Sequence, residues 1–129
     1  MAAAVAVALL VAAMDVGCGA QPSSEVTIRI RYSAFEPATV RVPVGVPVTI
    51  ELVNNDPIDH EWIVGDEALH EAHRTGTHPA HDQLATEVTV PALEARTTVV
   101  TFDQAGSYAF ICHLPAHEAY GMTGVIVAG

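Results

Sequence analysis

The sequence predicts an all-β fold, an antiparallel sandwich or barrel of about eight short strands with one short helical insertion around residues 66–74. Three observations predict it. Short β-rich runs recur between residues 25 and 128, and the first alternates apolar and polar residues with the period of a half-buried strand. Turn signals such as PALEA and DQAG punctuate them. A single stretch, GDEALHEAHRTGTHPAHDQL (65–84), breaks the strand pattern.

In chain order, EVTIRIR (25–31) is the alternating strand. FEPATVRVPVGVPVTIELVN (35–54) holds two more β-rich pieces around a turn at PVG (43–45). Pro37, Pro43 and Pro47 exclude a long helix there and suit strand ends and turns. HEWIV (60–64) reads as a short strand. In the exceptional stretch Asp66 is placed to cap a short helix, with Glu67 in its first turn. TEVTV (86–90), RTTVVTF (96–102), SYAFIC (107–112) and GVIVA (124–128) complete the set. No internal repeat appears, and 129 residues suit one domain, expected over 25–129.

Ahead of that domain, MAAAVAVALLVAAM (1–14) is too short to span a bilayer as a mature helix and resembles the apolar centre of an export signal. VGCGAQPSS then resembles the cleavage box of a bacterial lipoprotein. Residues 1–17 are therefore expected to be a signal peptide, Cys18 the lipidated residue, and 18–24 a flexible tether. Two features depart from that pattern: no basic residue precedes the apolar run, and Asp15 stands where an apolar residue is usual.

With Cys18 consumed by lipid, Cys112 is left without a partner, so stability must come from a packed core, aided by a bound metal. Fifteen acidic residues against five arginines exclude a nucleic-acid partner, whose phosphates demand a basic face. That balance suits an exported, monomeric protein that attracts cationic partners and meets a membrane through a lipid anchor at most.

The chemistry concentrates in CHLPAHEAYGM (112–122). Cys112 ends an apolar strand, His117 lies five residues on and Met122 five further. Pro115 breaks regular structure between them and Gly121 permits a turn, so one loop can fold three donors around a point. Singly, a buried cysteine is a small hydrophobe and a methionine is core filler. Together, thiolate, imidazole and thioether favour copper, whereas structural zinc takes four Cys or His ligands. A second imidazole is required, and His60 offers one directly after NNDPID.

FEPATVRVPVGVPVTIELVNNDPIDHEW followed by GSYAFICHLPAHEAYGMTGVIVAG resembles the cupredoxins, the blue copper proteins of plastocyanin and azurin type, over residues 25 to 129. The Cys-x4-His-x4-Met ligand loop of that family is matched by Cys112, His117 and Met122, with Pro115 between, and its upstream histidine by His60. The resemblance implies a Greek-key β-sandwich holding one type 1 copper ion on His60, Cys112, His117 and Met122. It implies a noncatalytic electron carrier outside the cytoplasmic membrane, with Met122 axial and the edge of His117 as the electron's exit. Its redox partners are expected to dock through basic surfaces. The rival reading is a protein that stores or delivers copper; enzymes sharing the fold need a further copper site. Glu61 departs from the pattern where Asn or Ser usually braces the loop, and His113 departs where a small polar residue is common.

His70, His73, His78 and His81 fall within twelve residues, the first pair on one helix face. With His113 they form a candidate accessory site for copper or zinc. The plainer reading, which the pattern favours, is a solvated loop whose histidines titrate near neutrality, with His113 partly exposed beside the main site.

Overall fold

The computed structural model describes residues 21–77 and 84–129. The signal and lipidation readings at residues 1–17 and Cys18, together with His78 and His81, lie outside the described residues. The described chain runs β1 Glu25–Arg31, β2 Ala34–Glu36, β3 Thr39–Val42, β4 Pro47–Asn54, β5 His60–Gly65, α1 Glu67–Arg74, β6 Glu87–Val90, β7 Ala95–Thr101, β8 Gly106–Ile111 and β9 Thr123–Ala128. Two sheets form the sandwich, ordered β2-β1-β4-β7 and β3-β9-β8-β5-β6. Among the described residues no helix is long and apolar enough to cross a membrane.

The structure corrects the all-antiparallel expectation at two places. β1 pairs with β4 in parallel, from Glu25 opposite Thr49 to Ile30 opposite Asn54, and β3 pairs with β9 in parallel. Both pairs are nonlocal, so no hairpin signal announces them. The ninth strand, β2, also escapes the sequence pattern. Its hairpin with β1 turns through Tyr32 and Ser33, at φ 55° and 54°, although neither is a residue that favours that region. Asp56, distant in sequence, holds the turn: its carboxylate accepts from Tyr32 N at 2.7 Å and Ser33 N at 2.8 Å.

Strict alternation sets which face of each strand is buried. Along β4, Val48, Ile50, Leu52 and Asn54 are buried while Pro47, Thr49 and Glu51 are exposed. Ile28, Ile30, Trp62, Phe110 and Ile126 are also wholly buried, each side chain of that size contributing about 1.5–3 kcal/mol. Gly124 on β9 is required by packing, since a Cβ there would collide with the Phe110 ring and the Ala38 carbonyl oxygen. α1 forms where the sequence places it, with Asp66 accepting from Leu69 N at 2.9 Å as its N-cap.

Candidate metal centre

β5 and β8 are antiparallel neighbours, with Ile63 opposite Ile111. This pairing places His60, at the start of β5, near Cys112, the first residue past β8. The loop 112–122 joins β8 to its other neighbour, β9, and closes on itself: Cys112 N donates to Met122 O at 3.2 Å, and Met122 N to His117 O at 3.0 Å. A loop so tied returns His117 to the cysteine, and Cys112 Sγ lies 3.2 Å from His117 Nδ1.

One donor atom from each of His60, Cys112 and His117 lies within 4.8 Å of the other two, near the span one ion bridges with bonds of about 2.0–2.3 Å. His60 and Cys112 are fully buried and His117 half-buried. Met122 is also fully buried, in the same core cluster as Cys112, and its main chain bonds both flanking ligand candidates.

The protonation of His60 supplies the sharpest test of fit. Its Nε2 lies 3.0 Å from Asp56 Oδ2, so the ring proton belongs there. Nδ1 is buried and has no hydrogen-bond partner. A buried lone pair without a donor is costly, and a cation is what it lacks. Burial, joined by the nearby His117, lowers the pKa of His60 in spite of Asp56, keeping the ring neutral and able to ligate. Burial likewise pushes the Cys112 thiol up, against the opposing N–H groups of Glu61 and Leu114. Two imidazoles, a thiol and a buried thioether residue on the same loop fit copper.

Residues 1–128 match the family model of the cupredoxin-like domain. The chain belongs to the cupredoxin-like family. It is 33% identical over 107 residues to the copper-resistant cuproprotein CopI of Rubrivivax gelatinosus, matching 78% of this chain and spanning 65% of that protein's length. Its fold superposes on the reduced auracyanin of Roseiflexus castenholzii with a TM-score of 0.72 at 22% identity, covering 84% of this chain and 99% of the other. Auracyanin A, a "blue" copper protein from Chloroflexus aurantiacus, gives 0.64 at 25% identity, covering 84% and 100%.

Within this cupredoxin, Asp56, which hydrogen-bonds the His60 ring, is the residue of the site that sequence reasoning missed. Burial raises its pKa, but the N–H groups of Ser33 and Tyr32, with His60, outweigh that and lower it. Asn54 supports the same loop, donating to the Ile58 and Val90 carbonyls and accepting from Asp56 N at 2.9 Å. The available signal was the turn-rich NNDPID immediately before His60. Glu61 poses less of a difficulty than its charge implies. It braces the cysteine through its main chain, N to Cys112 Sγ at 3.3 Å, which any residue but proline provides.

The insertion differs from the solvated reading. His70 is fully buried, and the side chains of His73 and His113 are only 1% and 5% exposed. Among the described residues the accessory candidates meet as pairs. His70 Nδ1 lies 2.9 Å from His113 Nε2, His73 Nε2 lies 3.5 Å from Glu87 Oε2, and the His73 and His113 rings stack at 5.2 Å. Burial pushes the His113 pKa down to about 4, in spite of Glu118.

Proposed function

We propose that this protein is a type 1 copper electron carrier, exported and tethered by lipid at Cys18, with His60, Cys112, His117 and Met122 as ligands. The observation that carries the reading is the buried Nδ1 of His60, left without a hydrogen-bond partner opposite a buried cysteine sulfur. Bound copper supplies one-electron chemistry between Cu(II) and Cu(I).

The residues divide the remaining work. Cys112 would ligate as thiolate, its proton released to solvent, and the Glu61 and Leu114 N–H groups donate to its sulfur. Asp56 fixes the His60 tautomer and raises its basicity. Met122 would supply a thioether donor, and half-buried His117 would offer the route to solvent. Donors fixed to a β-sandwich hold one geometry in both oxidation states, which keeps rearrangement small. The acidic surface suits redox partners with basic docking faces.

Addition of copper to the purified protein is expected to produce the intense visible sulfur-to-copper band and a reversible voltammetric wave. In Cys112→Ser the band should vanish; a variant that stays blue rules out this ligand. A second reading, copper storage or delivery, is favoured by the likeness to CopI. Rapid loss of Cu(I) to an acceptor chelator would select it over electron transfer.

A further inference from the structure

The helical insertion contacts the ligand loop at two chosen points. His113 directly follows Cys112, and Glu118 directly follows His117. α1 holds both. His70 Nδ1 pairs with His113 Nε2 at 2.9 Å, and His73 stacks on the same ring. Arg74 grips Glu118 through its guanidinium fork, Nε to Oε1 at 3.0 Å and Oε2 at 3.1 Å, and Nη2 to Oε1 at 2.8 Å. A planar fork on a carboxylate fixes direction as well as distance, which a lysine cannot do.

The helix is itself anchored. His70 Nε2 donates to the Ala109 carbonyl of β8 at 3.2 Å, Asp66 caps the N-terminus, and Glu67 and Glu71 hold Arg74 from the other side. The donation to Ala109 sets the tautomers. His70 Nδ1 is then the acceptor, and His113 Nε2 the donor. The bond thus has a defined direction, from the residue after the cysteine into the helix.

We propose that α1 is a bracket on the ligand loop, with Arg74 and His70 as positioning residues that fix the separation of Cys112 from His117. Among the described residues, the main-chain hydrogen bonds of Cys112, His117, Tyr120, Gly121 and Met122 stay within the loop, Glu61 of β5 donates to the Cys112 sulfur, and Cys112 and Met122 are buried in the core. The bracket adds the restraint on its outer side, at the residues next to two ligands, and so limits how far the donors spread when the charge at the site changes. The role of the two donors rests on the copper reading above, whereas the mechanical claim does not.

Two measurements test it. In the metal-free protein, hydrogen exchange at His117, Tyr120, Gly121 and Met122 amides, all bonded within the loop, reads the bracket without copper. Arg74→Met and Glu118→Gln are each expected to speed that exchange, and in the copper-loaded protein to slow electron self-exchange about tenfold, the lower end for lost outer-shell partners. The visible band should shift, and Arg74→Lys should restore the behaviour only in part. His70→Gln, which keeps a polar side chain of similar reach, is expected to act in the same direction. Unchanged loop exchange in both Arg74→Met and Glu118→Gln overturns the bracket, as does an unaltered band, potential and self-exchange rate in blue variants. If Arg74→Met does not fold, Glu118→Gln decides alone. A wild-type protein that fails to turn blue while loop exchange still responds to Arg74→Met defeats the copper reading and leaves the bracket standing.

Discussion

Replacing Asp56 probes the link between the fold and the metal centre, because one carboxylate serves both. It accepts from two main-chain N–H groups of the β1–β2 turn and from the His60 ring, at 2.7, 2.8 and 3.0 Å, and the residue is 6% exposed. Hydrogen bonds to a charged group are each worth about 1.5–3 kcal/mol, and leaving a buried donor unpaired costs about 1–3 kcal/mol. Allowing for non-additivity, Asp56→Ala should cost about 3–5 kcal/mol, a large share of the roughly 5–15 kcal/mol that holds a domain together. Asp56→Asn retains one acceptor oxygen and places an amide against a donor, so about 2 kcal/mol is expected.

Chemical denaturation of the metal-free protein reads that loss, and copper titration reads the rest. Without the carboxylate, the His60 ring is less basic and less firmly oriented, so copper affinity should fall about 10–100-fold. Cu(II) gains more than Cu(I) from a basic ligand. A tenfold differential loss would raise the reduction potential by about 59 mV. An acid limb supplies an independent check. The folded pKa of Asp56 lies below its ordinary 3.8, so the unfolded chain takes up the proton first. Its contribution is present above 3.8 and is lost as pH falls through the folded value, a loss that Asp56→Asn should not show. An Asn variant with unchanged stability, affinity and potential would refute the whole chain of reasoning.

Three further outcomes are expected. Met122→Gln should lower the reduction potential, because a harder oxygen donor in place of the thioether favours Cu(II); a rise on voltammetry contradicts Met122 as a ligand. Metal-free protein should lose stability as pH falls from about 6.5 towards 4. The unfolded chain protonates His113 at its ordinary 6.5 while the folded chain resists until about 4. At about 1.4 kcal/mol per pH unit the full effect is about 3–4 kcal/mol, of which urea titrations of the wild type and His113→Gln at pH 7 and 4.5 read about 3 kcal/mol. Gly124→Ala, which drives a methyl into the Phe110 ring and the Ala38 carbonyl, should cost about 1–3 kcal/mol in the same assay.

What the sequence made legible, and what it hid, divides by range. Alternation exposed the strands, and Asp66 exposed the start of α1, because both signals are local. The loop 112–122 was legible for the same reason: three donors five residues apart, with a proline and a glycine to bend the chain. Parallel pairing of β1 with β4 left no trace, since the partners share no turn. The β1–β2 hairpin was hidden because its unfavourable turn residues are held by Asp56, more than twenty residues away. The accessory histidines misled in one respect. Their spacing resembles an exposed helix face, yet His70 is buried by a contact with β8 and the ligand loop that no pattern within residues 65–84 encodes.

Asp56 and Arg74 constrain the same site from two sides, and neither belongs to the ligand motif that the sequence displays. Cys112 and His117 share a loop, but His60 comes from another part of the chain, so relative placement must be enforced from outside the ligands. On one side Asp56 ties His60 to the β1–β2 turn of the opposite sheet. On the other, α1 ties the loop back to β8 through His70 and Arg74. Asp56 bonds the ring of His60 itself, and α1 bonds His113 and Glu118, the residues next to Cys112 and His117. Both use charge-assisted or directional hydrogen bonds rather than packing. A site that only stored copper would gain little from such restraint, because release requires the donors to part. In the proposed electron carrier the site must look the same before and after an electron arrives, and such restraint serves that need.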